Sequence, residues 1–339
     1  IGCDIIVFSP SGKDILSPFD PEEKETFVFH YPGQKEEEPF PEEKRTRKTT
    51  VAYRASREIE TVLNHEGSGL YKPWQLRDYI PRSITLRTTY DELFLIMKEI
   101  AMIRPDFEVK NGMVFIPAIF AKIQGVSKNR KEYWDRLHSL IEGEQSILIK
   151  EFPFSRAINN DFRFHYQNAL GKDGKLDPDR MMASHYWTYG RLPAGLQKGI
   201  AHAIRNICWK PGLKPMYRET MEDVKIYLFT QGMQIPPNIL QLLQKFDYSQ
   251  TVPKLVIFNN ELSGTLTRSD AALLLLLNQF GIDIVIYNPA GHNDIENFVD
   301  EKWYDIHWLE DVVFEMEYKE PSLFRRFFRQ GILRNLRGD

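Results

Sequence analysis

The sequence predicts an α/β protein built from two Rossmann-like parallel α/β halves, the first truncated at its N-terminus, with an α+β and a helical region inserted between them. Three observations predict it. A strand–helix–strand unit with short loops lies near the C-terminal end. A near copy of its second strand and following loop opens the chain. Between the two come a helix–hairpin–helix block and a mainly helical block.

Residues 2–8 (GCDIIVF) form a continuous apolar, β-branched run. That is the pattern of a parallel strand buried on both faces. Ser9-Pro10-Ser11-Gly12 turns the chain, and residues 1–21 are read as the end of the first half. The chain opens at Ile1 without a Met and directly in strand-like sequence, so it reads as a trimmed chain or fragment. Residues 22–50 are dominated by Pro, Glu and Lys. Such a segment buries too little apolar surface to offset its ordering entropy, so it is a charged linker or loop.

Residues 51–150 read as an α+β region. Residues 52–63 carry helical periodicity. Thr89 and Glu92 have the spacing of a capping box, opening a helix buried through Leu93, Ile96, Met97 and Ile100. Asn111-Gly112 supplies two positive-φ positions between β-prone flanks, a hairpin signal over residues 107–117. A helix follows over residues 130–141. Residues 151–249 read as mainly helical, with helices over 180–189, 196–208 and from Pro236-Pro237 to Phe246.

Residues 250–310 are read as the second, complete half. Strand 254–258 leads through a Ser/Thr/Gly loop into helix 271–280. Gly281 caps that helix in the left-handed region, and strand 282–287 ends in Asn288-Pro289-Ala290-Gly291. Short loops around one helix imply parallel strands with a right-handed crossover. Residues 311–339 are a C-terminal helical tail whose Phe324, Phe327 and Phe328 pack while its arginines face water. When residues 2–12 are laid over 281–291, Gly, Asp, Ile, Pro and Gly coincide without a gap, which reads as a duplication. Two such halves would meet at their strand C-ends, where open α/β sheets bind ligands.

The composition narrows the function classes. The chain has 339 residues, 42% hydrophobic and with a formal net charge of -3, so no basic excess points to nucleic acid. Cys3 and Cys208 are too few for a disulfide framework, and a reduced, cytoplasmic compartment fits them, although one disulfide stays open. The longest purely apolar run is residues 271–277, well short of the roughly 20 residues a membrane span needs, so the chain is not transmembrane.

Two segments could carry chemistry. Ser263, Gly264, Thr265, Thr267 and Arg268 lie between a strand end and a helix start, where free N–H groups, hydroxyls and a guanidinium could hold a phosphate. The plainer reading is capping by Ser269 or Asp270. Asn288, His292, Asp294 and Glu296 follow the second strand. Extended backbone would present His292, Asp294 and Glu296 together as acid and base or as ligands of a divalent cation. On a helix they would diverge, and Asp294 would be a cap. Pro10 and Gly12 are the matching positions of the first half. Two further segments, the aromatic stretch around His185, Tyr186 and Tyr189 and the basic tail, read as packing.

Several segments resemble the YceG-type proteins of bacterial tellurite-resistance and stress operons. They are residues 255–264 (LVIFNNELSG), 281–296 (GIDIVIYNPAGHNDIE), 8–12 and 115–123. The resemblance implies a cytosolic stress context and a component of a biosynthetic module; it carries over no catalytic residues. Two functions follow as expectations. One is a group-transfer enzyme binding a phosphorylated or nucleotide-linked ligand, with Arg268 on its anion. The other is a non-catalytic scaffold or sensor whose partners are other proteins of the stress operon.

Overall fold

A computed structural model describes residues 79–260 and 266–321. These belong to the second of two compact units, Tyr71–Asp339. The opening strand with Pro10 and Gly12, the charged segment, helix 52–63, Ser263, Gly264, Thr265 and the basic tail lie outside the described residues.

The described residues form an α/β fold around a seven-stranded sheet. Its main path runs β1 (Ile80–Leu86), β3 (Met113–Gln124), β6 (Asp283–Asn288), β5 (Lys254–Phe258), β4 (Ser146–Ile149). These neighbours are all parallel. The short β2 (Glu108–Lys110) pairs antiparallel with the start of β3, and β7 (Asp305–Trp308) pairs parallel with its end. Strands of the 51–150 and 250–310 segments therefore share one sheet.

Local chemistry sets many boundaries. Thr89 and Glu92 close a capping box on α1 (Tyr90–Ile96). Asn111 and Gly112 take φ of 50° and 72°, the paired positive values that a two-residue hairpin turn requires, and join β2 to β3. Helix α2 (Arg130–Leu140) is capped by Asn129. Helices α3 (Arg163–Asn168) and α4 (Pro178–Met182) are short. The helix expected over 180–189 ends at Met182, because Trp187 and Tyr189 turn into the core: Tyr189 Oη donates to Gly232 O at 2.8 Å. Then follow α5 (Ala194–Trp209), α6 (Met221–Gly232), α7 (Pro237–Gln244) and α8 (Arg268–Phe280). Helix α8 starts three residues earlier than its apolar run, because Thr267 and Asp270 form its capping box.

Alternate residues along each strand feed two apolar layers. Ile116, Phe120, Leu255, Ile257, Ile284 and Ile286 pack with α5, α6 and α8. Ile119, Ala121, Ile123, Val256, Val285 and Tyr287 pack with α1 and α2. The connections from β1 to β3 and from β3 to β4 advance across the sheet through α1 and α2. The connections from β4 to β5 and β6 return through the other layer. Right-handed crossovers demand this change of face when the direction reverses. The direction reverses at the edge strand β4, and the two sets of connections meet between the neighbours β3 and β6, which is the switch point.

One buried ion pair fixes the register there. Arg104 donates to Asp283 Oδ1 and Oδ2 at 2.9 and 2.8 Å, and both side chains are fully buried. Arg104 also donates to Glu99 O and Pro117 O, and Ile119 N donates to Asp283 Oδ1 at 2.9 Å. Asp283 thus binds β3 immediately before the first paired residues, Phe120 and Ile284.

Candidate functional site

At the carboxyl ends of β3, β6 and β5 the strand alternation that buries Phe120, Ile257 and Ile286 continues with Lys122, Asn259 and Asn288. Polar residues replace apolar ones on the α8 face as the sheet reaches its switch point, where open α/β sheets bind ligands. All three are buried.

The loop after β6 folds back onto them. Asn288 shapes it: Oδ1 accepts from Gly291 N at 2.6 Å, and Nδ2 donates to His292 O at 3.0 Å and to Asp294 Oδ2 at 2.8 Å. Gln124 Nε2 holds Gly291 O at 2.8 Å. Lys122 Nζ meets Glu296 Oε2 at 2.5 Å, with the lysine side chain wholly buried and the glutamate about a quarter exposed (24%). Glu296 Oε1 accepts from Asp294 N at 3.2 Å, and Lys214 Nζ donates to Glu296 O at 2.6 Å.

Asp294 is the unusual member. It is fully buried, and its Oδ1 has no hydrogen-bond partner among the described residues. Burial raises its carboxyl above the ordinary range, and Glu296 adds to the rise; the Lys122 charge and the neighbouring side-chain amides of Asn288 and Asn259 pull the other way. Tyr304 stands close enough that Glu296 and Asp294 add to the rise burial causes in its phenol, whose buried hydroxyl also lacks a partner among the described residues. An unsatisfied buried acceptor costs about 1–3 kcal/mol, so the fold carries a local expense here. A carboxyl that holds its proton to higher pH, beside a lysine–glutamate pair, can give and take a proton.

The candidates named from sequence separate into groups. Asn288, Asp294 and Glu296 converge. His292 is exposed, its Nδ1 on Ala290 O at 2.8 Å and its ring against Phe314. Thr267 caps α8. Arg268 pairs with Glu219, 3.0 Å from Nη1 to Oε1, and lies over the Tyr227 ring at 4.3 Å. Asp270 is held by Ser155 and the Phe154 and Ser155 amides. Among the described residues no group of three or more His, Cys, Asp or Glu side chains is arranged to hold a metal ion.

Sequence reasoning missed Lys122, Asn259, Lys214 and Tyr304. Lys122 did leave a signal, as the one charge inside the apolar run of residues 113–123 (MVFIPAIFAKI). A lysine is almost never fully buried without a partner.

Comparison with known proteins places the chain. Residues 1–64 and 87–317 match the YceG domain. The protein described as "Uncharacterized protein YceG" of Bacillus subtilis (strain 168) is 55% identical over 329 residues, which are 97% of this chain and 61% of that relative. The chain thus spans less than two thirds of the curated relative it matches. No solved structure matches it.

Proposed function

The chain belongs to the YceG family, and from that premise we propose that it is a group-transfer enzyme acting on a small phosphorylated or nucleotide-linked ligand. The ligand sits at the carboxyl ends of β3, β6 and β5. Asp294 is the proton donor and acceptor, Lys122 and Glu296 set the charge beside it, and Asn288 and Asn259 orient its carboxyl. Ser263, Gly264 and Thr265 are proposed to line the ligand's anionic end. Glycosyl or phosphoryl transfer is the reaction class. The reading carries with it a cytoplasmic setting in a tellurite-resistance or stress system, and a second Rossmann-like half built partly from residues 2–12.

The observation that supports this best is the fully buried Oδ1 of Asp294, without a hydrogen-bond partner among the described residues, beside a fully buried lysine at the switch point. Stability alone favours apolar side chains at such depth, since replacing buried charges by well-packed hydrophobes is often neutral or stabilising. Costly polar groups gathered at a ligand-binding edge are what a functional site retains. The test is turnover by the complete protein on sugar nucleotides and phosphorylated sugars, with Asp294→Asn as control. Loss of turnover with the fold intact supports the reading; full turnover by the variant sinks it.

A further inference from the structure

A second site lies away from the strand ends. A cleft of about 610 Å³ opens beside the edge strand β1, walled by the C-terminal half of α5, the later turns of α8 and the loop holding Trp303. Its cationic residues are Arg82, Lys175, Arg205 and Lys210, with His202 beside them, and among the described residues no Asp or Glu lines it. The whole chain has more acidic than basic residues, 47 against 44. This concentration of one sign is therefore local, and a cleft with low-dielectric walls focuses such a field.

Little in the described residues answers that charge. Arg205 reaches Asp173 at 3.0 Å. Arg82 lies over the Phe115 ring at 5.8 Å, and Lys175 over the Trp209 ring at 4.1 Å, contacts that leave the positive charge in place. Lys210 has no ion-pair partner among the described residues. His202 is held below its ordinary range by burial and by neighbouring cations, Arg205 and Lys198, against the opposite pull of Asp179. Two buried donors of the cleft residues, Ser83 Oγ and Trp303 Nε1, also lack partners among the described residues. Cations and partnerless donors are thus gathered among the residues that line the cleft.

We propose that this cleft binds a small, multiply phosphorylated anion. Arg82, Arg205 and Lys210 would hold its oxygens, with Ser83 and the Trp303 indole N–H as neutral donors. The site is separate from the strand-end cluster: its α8 residues are Leu275, Asn278 and Gln279, two to three turns beyond the Thr267 cap that sits at the strand ends. The inference does not rest on the proposed reaction.

The experiment is titration calorimetry of the complete protein with inorganic tripolyphosphate, repeated on Arg82→Gln/Lys210→Gln and on Asp294→Asn. Arg82 and Lys210 are exposed, so the double variant should fold, which its melting curve checks. Two charge-assisted contacts are worth a loss of about tenfold or more in affinity. The wild-type protein is expected to bind, the double variant to lose at least that factor, and Asp294→Asn to bind as the wild type does. Absence of wild-type binding, or equal binding by the folded double variant, overturns the proposal. Loss of binding in Asp294→Asn alone would assign the anion to the strand-end site and overturn it too.

Discussion

Replacing Asp283 by Ala should be among the most damaging single changes in the sheet. Asp283 accepts three N–H groups, two from Arg104 and one from Ile119. Its removal leaves a guanidinium with no exposed side-chain surface and without its counter-charge. Breaking one partner of such a pair costs about 3–5 kcal/mol, whereas replacing both by apolar residues of similar volume is often neutral. Urea unfolding of Asp283→Ala should show a loss of that size, and Arg104→Met/Asp283→Leu should recover most of it. The loss should reach the strand-end site, since Asp283 anchors β6 at the entry to its register with β3, four residues upstream of the Phe258–Tyr287 level. A loss below about 1 kcal/mol in the single variant would refute the reasoning, because that is the range of an exposed ion pair.

Three further outcomes follow. Asp294→Asn should stabilise the protein increasingly as pH rises: the folded carboxyl has a raised pKa, so its favourable contribution is complete below the unfolded pKa and is lost as pH climbs through the folded one. Melting curves of both proteins from acid to neutral pH check this, and a difference independent of pH would contradict it. Gly281→Ala should destabilise by about 1–3 kcal/mol, since φ is 100° there and a Cβ would lie 2.9 Å from Ile116 Cδ1; urea unfolding reads it. Cys208 should resist a thiol reagent in the native Cys3→Ser protein and react only once unfolded, since burial pushes its thiol up and keeps it neutral.

How much of this was legible depends on the range of the interaction. The Asn111-Gly112 turn, the Thr89 capping box and the Gly281 cap are written within a few residues, so pattern reading finds them. Strands β5 and β6 are dense in β-branched residues and stand out in the same way. Strand β1 (IPRSITL) mixes Pro, Arg, Ser and Thr because one side of it faces the cleft, and it does not read as sheet. Nor does local pattern say that β1, β3 and β4 join β5 and β6, for parallel pairing is made by residues far apart in sequence. The site divides likewise. Asn288, Asp294 and Glu296 lie in one loop and could be named together. Lys122 lies 174 positions from its partner Glu296, and only its charge in an apolar strand marked it. His292 was placed with them by its spacing, but the turn that Asn288 fixes sends it to the surface.

The most direct test of the strand-end site is a thermal-shift measurement on the complete protein with nucleotides, sugar nucleotides and phosphorylated sugars, run beside Asp294→Asn and Lys122→Met. A ligand that binds only the native state raises the melting temperature by mass action. The account predicts a shift with one ligand class in the wild-type protein that both folded variants lose. No shift with any of them, or an equal shift in both variants, would contradict it.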